Sequence, residues 1–304
     1  VADEPGEEAV PHASDEPDPP APDLVAAPPA VGALRIVADG VEVLMLKRHG
    51  LSETLGGAFV FPGGKVDAED AALDGEHFLD QTASVLHDRL GEQDIDTATA
   101  VGLYVAALRE TFEESGLLLA QQLAPAQSDA ALARLAQGTA FNALLAELQL
   151  RLCVDALAPW SRWITPRRPA MMNRRFDTRF FLAAVPDEQE AQHDDHEVTE
   201  ARWLKPRTAL AQYRDRQIDL APPQIVSLLH LLPFGSVAAA LADARTRPPP
   251  LVEPHTLQHG AERMMCYPGD PEYPVAAPAL TRPTRLVWRD ERFQPPEGFG
   301  PWID

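Results

Sequence analysis

Apolar and polar positions in the first third of the chain follow the pattern of β-strands. Residues 34–37 and 41–46 are rich in apolar and β-branched residues and flank Asp39-Gly40, a dipeptide typical of a tight hairpin turn. A shorter run at 59–61 ends at the Pro-Gly-Gly breaker of residues 62–64. The pattern therefore predicts an antiparallel hairpin and a short strand leading into a glycine-rich turn.

A helical period replaces this alternation from about residue 97. Apolar residues recur every three or four positions on one stripe, at Val101, Tyr104, Val105, Leu108 and Phe112. This stripe predicts a helix over 97–115. Gly116 follows at once, which is typical of the residue just after a helix.

The rest of the chain mixes both kinds of element. Further helices are predicted over about 128–150, from Pro206 onward, and from Pro222 to about Ala242. Strand-like runs occupy 160–164, 176–182, 201–204 and 284–288. The mixture predicts an α/β fold built on one mixed sheet.

Composition divides the chain into three parts. Residues 1–30 are acidic, rich in Pro and Ala, and contain no Lys or Arg, so we predict a disordered tail. Residues 31–245 are predicted to form the α/β domain. A proline run at 248–250 marks the beginning of a C-terminal extension, 246–304, which we expect to pack on that domain.

Charge and cysteine content exclude several classes of protein. The formal net charge of −20 argues against a nucleic-acid-binding surface, which needs clustered Lys and Arg. The two cysteines, Cys153 and Cys266, are too few for a disulfide framework in a chain of this length. No apolar run is long enough to span a membrane. We expect a soluble protein of a reducing compartment, with neither nucleic acid nor membrane as a partner.

Three glutamates of the predicted 97–115 helix are the candidate chemistry. Glu110 precedes Glu113 by three positions and Glu114 by four, so the three carboxylates share one helix face. Such hard oxygen ligands suit Mg²⁺ or Mn²⁺ shared with substrate phosphates. A solvated acidic helix face is the alternative, and the cluster alone does not decide between the two.

The surrounding residues give the cluster a family context. Residues 61–64 read Phe-Pro-Gly-Gly, and residues 109–117 read Arg-Glu-Thr-Phe-Glu-Glu-Ser-Gly-Leu. Together they resemble the Nudix box, G-x5-E-x7-R-E-U-x-E-E-x-G-U, where U is a bulky apolar residue and Gly64 is the opening glycine. The resemblance implies a Nudix fold, in which a mixed β-sheet is sandwiched between α-helices.

The chain departs from the box at three points. Asp70 stands where the box has its first Glu, and Thr111 replaces an aliphatic residue. Arg109 follows Gly64 by 45 positions instead of 14, so about 31 residues, roughly 71–101, are inserted. An insertion in a surface loop is tolerable because closure entropy grows slowly with loop length. This segment could cover the cleft or mediate a homodimer.

The inserted box is similar to that of the peroxisomal coenzyme A diphosphatase branch of the family. Stretches outside the box agree with that branch as well: 159–166, 175–181, 200–204, 220–224 and 268–270. The sequence ends Trp302-Ile303-Asp304 and not in a Ser-Lys-Leu-type signal, so we expect a cytoplasmic relative. The resemblance implies hydrolysis of coenzyme A or an acyl-CoA. NADH, ADP-ribose or a nucleotide sugar is the alternative substrate, and a non-catalytic nucleotide-sensing module is the alternative of another class.

The resemblance also implies roles for individual residues. Glu110 and Glu114 are expected to bind the metal, with Glu113 sharing a metal or positioning water and the Gly63 carbonyl completing a site. Arg109 is expected to orient Glu110, with Asp70 as its partner. The general base is expected to be Glu113, Glu114 or an acid of the 187–200 stretch, of which Glu200 is the best single choice. Substrate phosphates are expected to meet arginines, with Arg48, Arg168 and Arg175 the first candidates.

Overall fold

The computed structural model describes residues 24–26, 29–37, 40–52, 55–167, 175–186, 188–192 and 197–304. The predicted disordered tail falls almost wholly outside these residues. Arg168 and several acids of the 187–200 stretch also lie outside them.

Eight strands form one mixed sheet. They are β1 (Leu24–Ala26), β2 (Ala30–Val37), β3 (Gly40–Arg48), β4 (Phe59–Val60), β5 (Ala158–Ile164), β6 (Arg175–Ala184), β7 (Val198–Leu204) and β8 (Leu251–Val252). The order is β4-β3-β2-β6-β5-β8, with β7 also paired to β3 and β1 to β6. The predicted hairpin is confirmed: β2 and β3 are antiparallel and Val37 pairs with Gly40.

The helices lie along the chain between and after these strands. They are α1 (Ala68–Ala71), α2 (Gly75–Phe78), α3 (Ala83–Leu90), α4 (Thr97–Ser115), α5 (Pro125–Ala136), α6 (Phe141–Leu148), α7 (Pro206–Arg214), α8 (Pro222–Leu231), α9 (Val237–Thr246) and α10 (Gly300–Ile303). Helix α4 begins and ends where the sequence predicts, and Gly116 adopts the left-handed conformation expected of its position, with φ of 71°.

Two predicted helices are wrong as single elements. The stretch 128–150 is two helices, α5 and α6, separated by a turn in which Gly138 has φ of 86°. The stretch from Pro222 is likewise two helices, α8 and α9. Residues Pro233 and Gly235 interrupt it, and the Ser236 side chain caps α9 by accepting a bond from the Ala239 N–H.

Each face of the sheet carries its own apolar core, so the mixed sheet is sandwiched between helices as the sequence predicts. On one face Leu44, Leu46 and Phe181 pack with residues of α4 such as Tyr104 and Leu108. The other face packs against α7, α8 and α9. Successive residues of a strand point to opposite faces, which is why Leu44 and Met45 belong to different cores.

The C-terminal residues form a second, smaller sheet. Its strands are β9 (His255–His259), β10 (Glu262–Cys266), β11 (Arg285–Arg289) and β12 (Arg292–Gln294), all antiparallel. Tyr267, Leu286 and Phe293 of this region join the core that contains Val43 and Met45. The small sheet therefore packs on the face of the main sheet opposite α4. Within the described residues, no helix is both long and apolar enough to cross a membrane.

Candidate active site

Helix α4 is held to the core by its apolar stripe and presents its last turns to the glycine-rich turn at residues 62–64. Thr111, the unusual residue of the box, is 2% exposed, and its hydroxyl donates to the Ala107 carbonyl at 2.7 Å. This bond within the helix satisfies the buried hydroxyl, so Thr can occupy an apolar position. The departure at residue 111 therefore leaves the helix and its acidic face intact.

Arg109 is the centre of the charged face. Its guanidinium makes a bidentate pair with Asp70, from Nε to Oδ1 and from Nη2 to Oδ2, both 2.9 Å. Nη2 also donates to the Lys65 carbonyl at 2.7 Å. Nη1 donates to Glu110 Oε1 at 2.8 Å and to Glu113 Oε2 at 3.0 Å. Because a planar guanidinium bonded on all sides has no freedom to turn, Arg109 fixes the positions of both glutamates.

The glycine pair lies directly against the carboxylates of Glu114 and Glu110. The Gly63 N–H donates to Glu114 Oε2 at 2.8 Å. A Cβ atom on Gly64 would lie 1.8 Å from Glu110 Oε2, so only a residue without a side chain fits at this position. A Cβ on Gly63 would meet the Pro29 carbonyl at 2.4 Å. We call Asp70, Arg109, Glu110, Glu113 and Glu114 the box cluster.

Burial and mutual repulsion disturb the acids of this cluster. Burial, together with the charges of Glu110 and Glu197, raises the pKa of Glu114 to about 8, although the Gly63 N–H bond lowers it. Burial also raises the pKa of Glu110 to about 7, although Arg109 lowers it. Burial raises the pKa of Glu113 as well. Such a concentration of negative charge is relieved by a cation.

The donor set fits a divalent ion that keeps water and substrate ligands. Within the described parts of the chain, no group of three His, Cys, Asp or Glu side chains is arranged to hold a metal ion by itself. Mg²⁺ typically takes one or two carboxylates and completes its shell with waters and phosphates. Glu110 and Glu114 supply hard oxygens of this kind, and both carboxylates lie against the glycine pair.

Two further charged residues lie beside the cluster. Strand alternation places Arg48 on the same side of β3 as Leu44 and Leu46, which pack with α4, and its charge lowers the pKa of Glu114. Arg48 Nε is buried and has no hydrogen-bond partner among the described residues, which is a feature of a group that binds a ligand. On the adjoining segment, the Glu197 carbonyl accepts a bond from the His49 N–H at 2.9 Å.

Other candidates from the sequence lie elsewhere. Glu200 pairs with Lys47 across β7 and β3, and its carboxylate bonds Arg202. The alternation of β7 places it on the face opposite Ala201 and Trp203, which pack with the α4 core. Arg175 donates to the Thr165 carbonyl and to Glu253. The structure therefore brings neither residue to the box cluster.

Sequence reasoning missed a second charged group. Glu92, inside the inserted segment, accepts a bidentate pair from Arg179 of β6 at 3.0 and 2.5 Å. Arg162 pairs with Asp177 at 2.8 and 2.7 Å and reaches Glu92 at 2.9 Å. We call these four residues the insertion network. No local motif marks it, because Glu92 and Arg179 are 87 positions apart.

A mixed sheet between helices, with an arginine and three glutamates of one helix facing a glycine pair, defines the Nudix class of hydrolase. The chain is similar to hydrolases of the Nudix family. The family model described as the NUDT19 Nudix domain matches residues 86–231. It begins inside the insertion, so the Arg109 half of the box lies within the match and the Gly64 half lies before it.

Similar proteins include the acyl-coenzyme A diphosphatase NUDT19 of Xenopus laevis. It is 29% identical over 231 residues, which are 64% of this chain and 61% of that protein's length, so the match spans less than two thirds of the relative. The putative nudix hydrolase 7 of Caenorhabditis elegans is 28% identical over 252 residues, 82% of this chain and 75% of the relative. Among solved structures, a NUDIX hydrolase from Alicyclobacillus acidocaldarius has a TM-score of 0.55 and 29% identity, and covers 73% of this chain and 96% of its own. The predicted fold class is confirmed.

Proposed function

We propose that the protein hydrolyses the diphosphate bond of a nucleoside diphosphate linked to another group, and that this substrate is coenzyme A or an acyl-CoA. The observation that carries the proposal is the box cluster, in which Arg109 and the Gly63 N–H hold Glu110 and Glu114 in place. A sensing module needs no such fixed group of acids. In this reaction, water cleaves one P–O bond of the diphosphate linkage of coenzyme A. The products are adenosine 3′,5′-bisphosphate and phosphopantetheine, or its acyl form.

Each residue of the cluster has a defined part in this chemistry. Glu110 and Glu114, with the Gly63 carbonyl, would hold Mg²⁺ or Mn²⁺. The ion, when bound, neutralises diphosphate charge and acidifies the attacking water. Arg109 and Asp70 keep Glu110 from rotating away, and Arg48 offers a cation and a free N–H to a substrate phosphate oxygen. The protein thus contributes mainly positioning and electrostatics.

Glu197 is our first candidate for the general base among the loop acids. Its carbonyl accepts the N–H of His49, the residue after Arg48, and the charge of its carboxylate raises the pKa of both Glu110 and Glu114. Glu200 stays a prediction, and the two variants Glu197→Gln and Glu200→Gln form a matched pair. We expect turnover to fall by about 100-fold or more in the first and by less than about 3-fold in the second. The reverse order would restore Glu200 as the base.

Two observations support coenzyme A or its esters among the diphosphates. Relatives that match 64–66% of this chain include proteins named acyl-coenzyme A diphosphatase. The segment after β3 also carries Leu51, which is 88% exposed and lies three positions from Arg48. Arg48 Nη2 donates to the Ser52 hydroxyl at 3.3 Å, so Leu51 belongs to the loop that the Arg48 side chain contacts. We propose that this exposed leucine covers the apolar tail of an acyl-CoA.

The test is product analysis with a panel of coenzyme A, acetyl-CoA, a long-chain acyl-CoA, NADH, ADP-ribose and a UDP-sugar. Wild type, Glu114→Gln and the control Glu147→Gln run with Mg²⁺ or Mn²⁺; Glu147 is an exposed acid paired with Arg134. The proposal is supported if wild type and Glu147→Gln release adenosine 3′,5′-bisphosphate from coenzyme A and Glu114→Gln does not. Turnover of NADH, ADP-ribose or the UDP-sugar alone would replace the substrate, and no turnover of any of them would favour the sensing module.

A further inference from the structure

A glycine inside α4 lies directly against the helix that carries Asp70. Gly102 precedes Arg109 by seven positions, so both residues lie on the same side of α4, two turns apart. A Cβ on Gly102 would be 3.1 Å from Ala71 Cβ and 3.3 Å from the Cα and N of Ala71. The backbone of α1 therefore packs against α4 at the one residue of that helix that has no side chain.

The close approach matters because Asp70 is short. The family pattern has Glu at this place, whose carboxylate reaches one methylene further, about 1.5 Å of extra bond length. Asp70 nevertheless pairs with Arg109 through both oxygens at 2.9 Å, and Oδ2 also accepts the Asp67 N–H at 2.8 Å. At 1% exposure, this carboxylate has no water to compensate for a lost bond.

We propose that Gly102 is a positioning residue that acts together with Asp70. By letting α1 approach α4, Gly102 sets the separation at which the short carboxylate of Asp70 reaches Arg109. Arg109 in turn fixes Glu110 and Glu113. The shorter acid at position 70 and the glycine at position 102 thus depend on each other, and these two residues flank the inserted segment.

A purely structural role for Gly102 makes a different prediction. If the glycine only relieved crowding between two helices, substitutions at Gly102 and Asp70 would have independent effects. A longer acid at position 70 would then not compensate for the loss of Gly102. If the two residues are coupled, a larger residue at 102 pushes α1 away and a longer side chain at 70 spans the added distance. The interaction between the two substitutions therefore separates the hypotheses.

The experiment is a double-mutant cycle with Gly102→Leu, Asp70→Glu and the combined variant. Leu and Ala both form helices better than Gly, so Gly102→Ala provides a milder second series if Gly102→Leu does not fold. Gly235→Leu is the control, because a Cβ there meets nothing within 4 Å. The first readout is the Arg109 Nε–H signal in NMR spectra of the metal-free protein, which reports the Asp70 bond directly. The second is turnover of the substrate identified by the panel.

We expect Gly102→Leu to expose the Arg109 Nε–H to exchange and to lower turnover about 10-fold, as is typical of a lost partner behind a metal ligand. Adding Asp70→Glu should restore the signal and most of the turnover, whereas Gly235→Leu should change neither. Additive losses in the combined variant, or an unchanged Arg109 signal in Gly102→Leu, would overturn the proposal. The kinetic readout rests on the proposed function, but the NMR readout does not. Even in a protein inactive on every substrate, the Arg109 signal would show whether Gly102 acts through Asp70.

Discussion

The box cluster and the insertion network are both buried groups of charges around arginine, and they differ in balance. The insertion network sets two arginines against two carboxylates, and each guanidinium is bidentate to one of them. The box cluster sets four carboxylates against one arginine, with Arg48 nearby. A balanced set can remain buried on its own, whereas an unbalanced one is stable only with a cation or protons.

This difference in charge balance distinguishes a group of charges that stabilises the fold from one that is suited to bind a ligand. The insertion network joins Glu92 of the inserted segment to β5 and β6, and its polar atoms are all engaged within the fold. The box cluster has acids left over after Arg109 has been satisfied, and the raised pKa values of Glu110 and Glu114 express that excess. Excess buried charge of one sign, more than the presence of charge, therefore marks the candidate active site.

The largest effect is expected from unbalancing the insertion network. Arg179→Gln leaves Glu92 without its bidentate partner at 8% exposure. Breaking a buried pair by removing one member typically costs about 3–5 kcal/mol. We expect the melting temperature to fall by roughly 10 °C, measured by calorimetry with and without Mg²⁺.

The matched control is Arg134→Gln, which breaks the exposed pair of Arg134 with Glu147. An exposed pair contributes only about 0–1 kcal/mol, so this variant should melt within about 2 °C of wild type. Equal losses in the two variants would mean that burial and balance do not distinguish the insertion network from a surface pair.

The second effect tests the excess charge of the box cluster. Glu114→Gln keeps an oxygen that can accept the Gly63 N–H bond but removes the charge that would bind a cation. Turnover should fall at least about 100-fold, since loss of a direct ligand costs more than loss of a partner behind it. Isothermal titration with Mn²⁺ should show weaker binding in Glu114→Gln, with wild-type binding in Glu147→Gln. Unchanged metal affinity would assign the ion to other residues.

The third effect is a loss of folding stability caused by the same excess charge. The folded-state pKa values of Glu110 and Glu114, about 7 and 8, lie above the ordinary value of 4.5. The folded state therefore binds more protons at these two sites, and their contribution to the stability of the metal-free protein should fall as pH rises from about 4.5 to about 8. The lowered pKa of His230 acts in the opposite direction in the lower part of this range, so the effect is measured as the difference between wild type and Glu114→Gln. At pH 8 in chelator, Glu114→Gln should be more stable than wild type by on the order of 1–3 kcal/mol, measured by urea unfolding.

Two further conditions make this result specific to the box cluster. Near pH 4.5 wild type and Glu114→Gln should unfold at the same urea concentration, because both lack the charge there. Excess Mg²⁺ at pH 8 should raise the stability of wild type more than that of the variant, since a ligand stabilises the state that binds it. A difference in stability between wild type and Glu114→Gln that does not grow with pH in chelator would contradict the assignment of buried excess charge.

The comparison also explains what the sequence could predict. Helix α4 and its acidic face were predictable because the apolar stripe, the glutamate spacing and Gly116 are all local. Asp70 could be matched to Arg109 only through the family pattern, since the insertion separates them by 39 positions. The breaks at Gly138 and at Pro233 were missed because apolar residues recur at helical spacing on both sides.

The rest depends on contacts that no local pattern contains. Glu92 is one acid among many in an acidic chain until the fold brings it to Arg179. Gly102 looks like an ordinary, slightly unfavourable helix residue until Ala71 is seen against it. Likewise, the sheet alternation that turns Glu200 away from the α4 face depends on the pairing of β7 with β3. Long-range packing decides each of these.

The smallest expected effect concerns two exposed apolar residues, Leu51 and Leu251. Leu51 follows Arg48 by three positions and is 88% exposed, whereas Leu251 is 48% exposed on β8, beside Arg162. If Leu51 covers the acyl tail of the substrate, Leu51→Ser should raise KM for a long-chain acyl-CoA about 5-fold, equivalent to roughly 1 kcal/mol of lost apolar contact. KM for free coenzyme A, which lacks the tail, should stay within about 2-fold, and Leu251→Ser should alter neither. A similar rise for both substrates would place Leu51 against the part that they share, and no rise would leave the acyl chain in solvent.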